Sequence, residues 1–284
     1  MAADREQQLR AYVEYFRDMG IHDFYRRGEP VAIEAIEIAA AAEPSPIAFE
    51  AAPVSVSIPA DTPPIRGLQE PVIPKLVSFN DLAPLPQGRV PVSERAAALD
   101  AIREEIGDCT RCPLAYAGRR NIVFGDGDPA ARLMFVGEGP GADEDASGLP
   151  FVGKAGQLLN NMIAAMGLKR EEVYIANIVK CRPPANRVPE PVEANTCTQF
   201  LVKQIDVVQP EVIVALGATA AMYLLGVKQS LASLRGTWHD CRGAKLAVTY
   251  HPAFLLRDPR QKGEAWKDLQ RVMGEMGLKA PAKS

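Results

Sequence analysis

No apolar run in this chain approaches the roughly 20 residues that a helical bilayer crossing needs, so a helical membrane span is set aside. The first residues, MAADREQQLRAYVEYF, have neither the basic start nor the apolar core of a secretory signal, and a cytoplasmic protein is expected. No repeat recurs at a fixed period, which sets aside solenoid and propeller architectures. Histidine is scarce, at three residues, and aromatic residues make up only 6% of the 284. Any chemistry that needs an imidazole must therefore draw on His22, His239 or His251.

What is present is unevenly spread. Residues 29–95 are rich in proline and alanine, as in AIEIAAAAEPSPIAFEAAPVSVSIPADTPP, and show little periodicity. Such a stretch buries little and reads as a disordered linker. Residues 1–95 carry 9 basic and 14 acidic side chains, which leaves 23 and 21 in the remainder. The acidic balance belongs to the N-terminal third, and a nucleic-acid partner for the folded part stays open. Within residues 1–28, Leu9, Val13 and Phe16, with Tyr12 and Met19, give a short amphipathic helix. That helix docks on its own domain, binds a protein partner or stays largely unfolded; the sequence leaves all three open.

From residue 96 the pattern changes. Apolar strand candidates at 132–136, 173–178, 212–216 and 246–250 alternate with helical stretches near 96–106, 154–166, 191–207, 218–225 and 264–276. Strands alternating with helices predict a three-layer α/β/α domain over residues 96–278 with a central four-stranded parallel sheet. Residues 279–284 form a tail.

There are five cysteines. Cys109 and Cys112 stand as C-x2-C, and Cys181 and Cys197 enclose fifteen residues. In a cytosolic chain two separated pairs suit a four-thiolate site, zinc or iron–sulfur, better than disulfides. Spacing does not choose between the metals, and buried or redox-active thiols are the alternative. Cys241 has no partner nearby and reads as a bystander.

The loop GEGPGADEDASGLPFVG, residues 137–153, follows the strand candidate RLMFV. Glycine-rich loops at the carboxyl end of a strand often hold phosphate. This one has no Lys or Arg before Lys154 and carries Glu138, Asp143, Glu144 and Asp145, charges that repel phosphate. The same sheet edge receives Asn177, at the end of VYIANI, and His251, which opens HPAFLLR. His22 and His239 lie in polar segments and read as surface residues. A carboxylate, an amide, an imidazole and the ring of Phe151 suit a planar heterocycle, stacked on one face and read along its edge. Arg119, Arg120, Lys180, Arg182, Arg187 and Arg257 lie in other loops, where they can hold a DNA backbone or stand as solvated charges.

These motifs resemble the family 4 uracil-DNA glycosylases, the iron–sulfur class of their superfamily. GEGPGADED is similar to that family's first motif and GLPFVGKAGQLL to its base-stacking segment; NIVKCRPPANR carries the Asn and the third cysteine, and HPAFLLR is similar to its second motif. The resemblance covers about residues 96–278. It implies a repair enzyme that flips uracil out of DNA and hydrolyses its N-glycosidic bond. It also implies a [4Fe–4S] cluster on Cys109, Cys112, Cys181 and Cys197, and catalytic roles for Glu138, at the attacking water, and His251, at uracil O2. Phe151 is implied to stack on the base, Asn177 to read its edge, and the backbone at Gly137 and Gly139 to line the pocket. The family often has Ala where Gly139 stands, and a covalent DNA-binding subclass carries a basic insertion that this chain lacks after Asn177. The partner implied is uracil-containing DNA, bound by a monomer. After His251, Phe254, Leu255 and Leu256 are an apolar wedge for the vacated stack or ordinary core. Two other readings compete: a uracil-DNA binding protein without turnover, and a zinc-stapled DNA-binding module.

Overall fold

The computed structural model describes residues 76–279, so the N-terminal helix, residues 29–75 of the linker and residues 280–284 of the tail lie outside the described part. Four strands form where the apolar runs predict them: β2 (Leu133–Gly137), β3 (Tyr174–Asn177), β4 (Val212–Leu216) and β6 (Ala244–Thr249). They pair in parallel in the order β3-β2-β4-β6. Two short edge strands, β1 (Asp126–Gly127) and β5 (His239–Cys241), add antiparallel to β3 and β6, which makes the sheet six-stranded and mixed rather than four-stranded. Strands of two and three residues are too short to leave a periodic signal.

Successive strand residues face opposite sides, and each side has its own core. Met134, Val136, Ile213 and Ala215 join one core with helices α2 (Val92–Ile106), α5 (Pro191–Val208), α6 (Ala218–Leu225) and the short α7 (Leu231–Leu234). Leu133, Phe135, Val212 and Val214 join the other with α4 (Lys154–Ala165) and α9 (Lys262–Met276). Both faces are covered, which explains strands that read as continuous apolar runs. Among the described residues, no helix is long and apolar enough to cross a membrane.

The linker expectation extends about twenty residues too far. Helix α1 (Phe79–Leu82) buries Phe79 completely in the first core. The Arg242 guanidinium holds the segment down, donating to the carbonyls of Phe79 (2.8 Å), Ala83 (2.9 Å) and Pro84 (2.8 Å) while paired with Asp206. Arg95 donates to Val208 O at 2.7 Å. One apolar side chain and carbonyls captured by a distant arginine leave no pattern in the local sequence. The folded body therefore includes residues 76–95.

A fragment of residues 96–284 should melt well below one of residues 76–284. Losing a buried Phe costs about 3–5 kcal/mol, at roughly 2–4 °C per kcal/mol for a domain of this size, so a drop of about 10 °C is expected in a thermal melt. Equal melting temperatures would return residues 76–95 to the linker.

Candidate active site

Consecutive connections leave β2 and β4 in opposite directions, so the crevice at their carboxyl ends is the topological switch point where open α/β sheets bind ligands. A cavity of about 560 Å³ opens at this edge of the sheet, lined from the ends of β2, β3 and β6. Glu138, Gly139, Phe151, Asn177 and His251 all line it, so three chain segments that are distant in sequence meet in one place.

Asn177 ends β3 directly opposite Gly137, the last residue of β2. The Asn177 side chain is buried, and neither its Oδ1 nor its Nδ2 has a hydrogen-bond partner. Leaving a buried polar group unpaired costs about 1–3 kcal/mol, which marks the amide as waiting for a ligand. Gly137 is glycine because there is no room for more: a Cβ there would lie 2.4 Å from Asn177 Oδ1 and 2.6 Å from Phe151 Cζ. At Gly139 a Cβ would lie 2.7 Å from a Val179 methyl, so the alanine common at this place requires that valine to shift.

Phe151 adopts φ 53°, a left-handed conformation that costs a bulky residue about 1–3 kcal/mol. Its ring is buried between the end of β2 and His251, with ring centroids 5.6 Å apart and planes at 35°. His251 is the N-cap of α8 (Pro252–Arg257), and its Nδ1 accepts from Ala253 N at 3.1 Å. An Nδ1 that accepts carries no proton, so the neutral ring holds its proton on Nε2. Burial, helped by the nearby Arg257 charge, pulls the imidazole down to about 4, which keeps it neutral at pH 7.

The four acids of the loop have separate tasks. Glu144 accepts from three backbone amides, Gly141 (3.0 Å), Val152 (2.9 Å) and Gly153 (3.0 Å), and so ties helix α3 (Ala142–Ser147) to the Phe151 turn. Asp145 is buried and accepts from Arg120 N at 2.9 Å and Asn121 N at 3.3 Å. Asp143 is exposed at the rim, and Glu138 lines the cavity half-exposed. Two of the four charges hold backbone, and neither needs a cation.

Cys109, Cys112, Cys181 and Cys197 line a second, smaller cavity together with Arg119, Lys180 and Phe200, and no disulfide joins them. Arg119 Nη1 donates to Cys181 Sγ at 3.3 Å, and the Lys180 amide donates to Cys197 Sγ at 3.3 Å. Burial pushes the Cys197 thiol up to about 12, opposed by the Lys180 charge. Among the described residues, no three His, Cys, Asp or Glu side chains are set to hold a single metal ion. Cys241 is fully buried in the first core, on β5, and does not line this cavity.

Two of the basic residues read as DNA-backbone contacts or solvated charges turn inward instead. Lys180 is buried and donates to Asn177 O at 3.0 Å and Gln204 Oε1 at 2.6 Å. Arg119 is committed to Cys109 O, Cys181 and Asp108. Arg187 pairs with Glu193 and, like Arg257, lines the large cavity. Of the segment read as wedge or core, Leu255 is buried and Phe254 stacks on Tyr250 at 5.2 Å; Leu256, 44% exposed, stands out. Sequence reasoning missed Glu144 as the organiser of the loop, although its place three residues after Gly141 is that of a capping-box acid.

Comparison with known proteins gives the chain a family. The family profile described as the uracil DNA glycosylase superfamily matches residues 124–270. The type-4 uracil-DNA glycosylase of Thermotoga maritima is 47% identical over 166 residues, which cover 58% of this chain and 86% of that protein. The type-4 enzyme of Pyrobaculum aerophilum is 43% identical over 184 residues, 62% of this chain and 93% of that protein. The type-5 uracil-DNA glycosylase of Thermus thermophilus is 28% identical over 206 residues, 60% of this chain and 92% of that protein.

His251 makes stability pH-dependent. Its folded value near 4 lies below the 6.5 of the free side chain. Between those values the unfolded chain binds the proton more, so stability is full above pH 6.5 and is lost as pH falls toward 4. From pH 7 to pH 5 the loss due to this residue should be about 2 kcal/mol. Urea unfolding of wild type and His251→Gln at both pH values checks this: the variant's pH dependence should be smaller by that amount, and equal slopes would show that His251 is not the group responsible.

Proposed function

This chain belongs to the uracil DNA glycosylase superfamily, and from that premise we propose how its residues divide the work of releasing uracil from DNA. The protein is a uracil-DNA glycosylase of DNA repair. The observation that carries the division of roles is Asn177, an amide sealed at the base of the cavity with both polar atoms unpaired. Uracil offers an N3–H donor beside an O4 acceptor, and a carboxamide answers both. Cytosine presents the opposite pattern and leaves both groups frustrated. Uracil must first leave the stack, at a cost of a few kcal/mol; Leu256, the exposed member of the apolar segment after His251, fills the gap.

Breaking the N-glycosidic bond builds positive charge on the sugar and negative charge on the departing base, as in other oxocarbenium-like hydrolyses. Glu138 at the half-exposed end of the cavity directs water to the sugar and offsets its charge. His251 donates from Nε2 to uracil O2 as its charge grows. A neutral donor suits this task, because it keeps its proton throughout and needs no cation stored in a buried pocket. Phe151 supplies the stacking face, and Gly139 lines the pocket, whereas Gly137, expected beside it, is packed against Asn177 and Phe151 and does not.

The four cysteines fit a [4Fe–4S] cluster. They surround a shared cavity, they meet N–H donors from Arg119 and the Lys180 amide, and no disulfide engages them. Such a cluster takes four thiolates, one on each iron. When bound, it supplies a rigid cross-link between residues 109–112 and the 181–197 segment.

Two experiments test the assignment. In Asn177→Asp an ionised carboxylate loses the donor and repels O4. Uracil release from a uracil-containing oligonucleotide should fall at least about a hundredfold, from mismatches of about 1–3 kcal/mol each, while a matched cytosine oligonucleotide should show weak new release. Wild-type uracil release by that variant would require a different base reader. Separately, Cys109→Ser and Cys197→Ser should lose iron and visible absorbance while Cys241→Ser keeps both. Equal iron in all three would end the cluster assignment.

A further inference from the structure

The left-handed turn at Phe151 does not hold itself, since a bulky side chain at φ 53° gains nothing locally from that conformation. Two side chains of opposite charge grip it from opposite sides. On the residues after the turn, the Glu144 carboxylate takes the amides of Val152 and Gly153. On the other side stands Arg170, in the short turn before β3. Its Nη2 donates to Pro150 O, and its Nη1 donates to Phe151 O at 3.1 Å and Asn160 Oδ1 on α4 at 2.9 Å. The Asp126 carboxylate on β1 lies 3.6 Å from Nη2 and steadies the guanidinium from behind. Arg170 does not line the cavity, and its side chain is 23% exposed. Gly156 lets α4 close against the same point: a Cβ there would lie 1.8 Å from Phe151 O.

We propose that Arg170 is a positioning residue for uracil excision, holding the consecutive carbonyls of Pro150 and Phe151 so that the Phe151 ring stays in place beneath the base. The inference rests on reading Phe151 as the stacking face. A planar fork with donors at fixed spacing spans two successive carbonyls and an amide oxygen at once, which an ammonium on a flexible stem does not. Without that fork the turn relaxes toward negative φ, and the ring swings away from His251 and the end of β2.

The test is a double-mutant cycle on the full-length protein: Arg170→Gln and Arg170→Lys, each alone and combined with Phe151→Ala. Three quantities are read: kcat and KM on a uracil-containing oligonucleotide, inhibition by free uracil, and binding to an oligonucleotide with a stable abasic-site analogue. Arg170→Gln should lower kcat and weaken uracil inhibition about tenfold each, within the range of coupling between contacting groups, while KM and abasic-site binding change by less than about twofold. Arg170→Lys should lose about threefold, and in the Phe151→Ala background either change should cost less than about twofold. A general loss of folding does not produce that split or that non-additivity. Where Arg170→Gln does not fold, Arg170→Lys, which keeps the charge beside Asp126, carries the same cycle. If Phe151→Ala alone leaves kcat and uracil inhibition intact, the stacking reading fails and this proposal falls with it. If Phe151→Ala is impaired but the Arg170 variants match wild type, or lose the same factor in both backgrounds, the stacking reading stands and the role of Arg170 is overturned.

Discussion

An amide buried without partners is an uncomfortable object in a folded protein, and the architecture around Asn177 is arranged to keep it so. A mobile Asn177 would find a carbonyl or an amide within reach and satisfy itself. Several features prevent this. Its backbone is locked in register between β2 and the Lys180 ammonium that takes its carbonyl. The position opposite has no side chain, and the Phe151 ring occupies the remaining space. The cost of the unpaired amide, about 1–3 kcal/mol per group, is offset by the apolar cores on the two faces of the sheet. A ligand that completes both hydrogen bonds recovers it, which ties affinity to recognition of one edge pattern.

The glycine loop obeys the same constraint. It resembles a phosphate loop in composition but not in charge, and the structure gives the reason. Its amides at 141, 152 and 153 do not point at a ligand, because Glu144 has taken them. A carboxylate bound internally makes the loop rigid where a phosphate loop stays open for its anion. Asp145 carries this rigidity to residues 120 and 121. What remains for a ligand is a face, an edge and a carboxylate, which is the requirement of a base and its sugar.

How far the sequence revealed this depends on the range of the interaction. The four parallel strands were legible because both sheet faces are apolar, so each strand is an uninterrupted run such as VIVAL. Glu138, Asn177 and His251 were legible because each stands at or just past the end of such a run, at the edge where ligands bind. Lys180 was not: its charge reads as a surface residue, and only the fold shows it buried between Gln204 and the Asn177 carbonyl. Arg242 gave no sequence signal either, since the segment it anchors lies some 160 residues earlier. Charged side chains that cap distant carbonyls leave no periodicity, and they account for most of the difference between expectation and structure.

These buried cations also explain why the cysteine cavity and the large cavity are not independent. The Lys180 amide reaches Cys197 Sγ while its ammonium holds Asn177, three positions back along the same strand extension. Beyond Cys181 the chain runs straight into Asn186, Arg187 and Val188, which wall the large cavity. Arg119, at Cys181, is followed by the two amides that Asp145 secures to the loop carrying Glu144. A displacement of the cysteines therefore reaches the Asn177 amide by one route and the Phe151 turn by another. The cross-link proposed at the cysteines would act on the large cavity through these backbone connections, a structural task that involves no electron transfer.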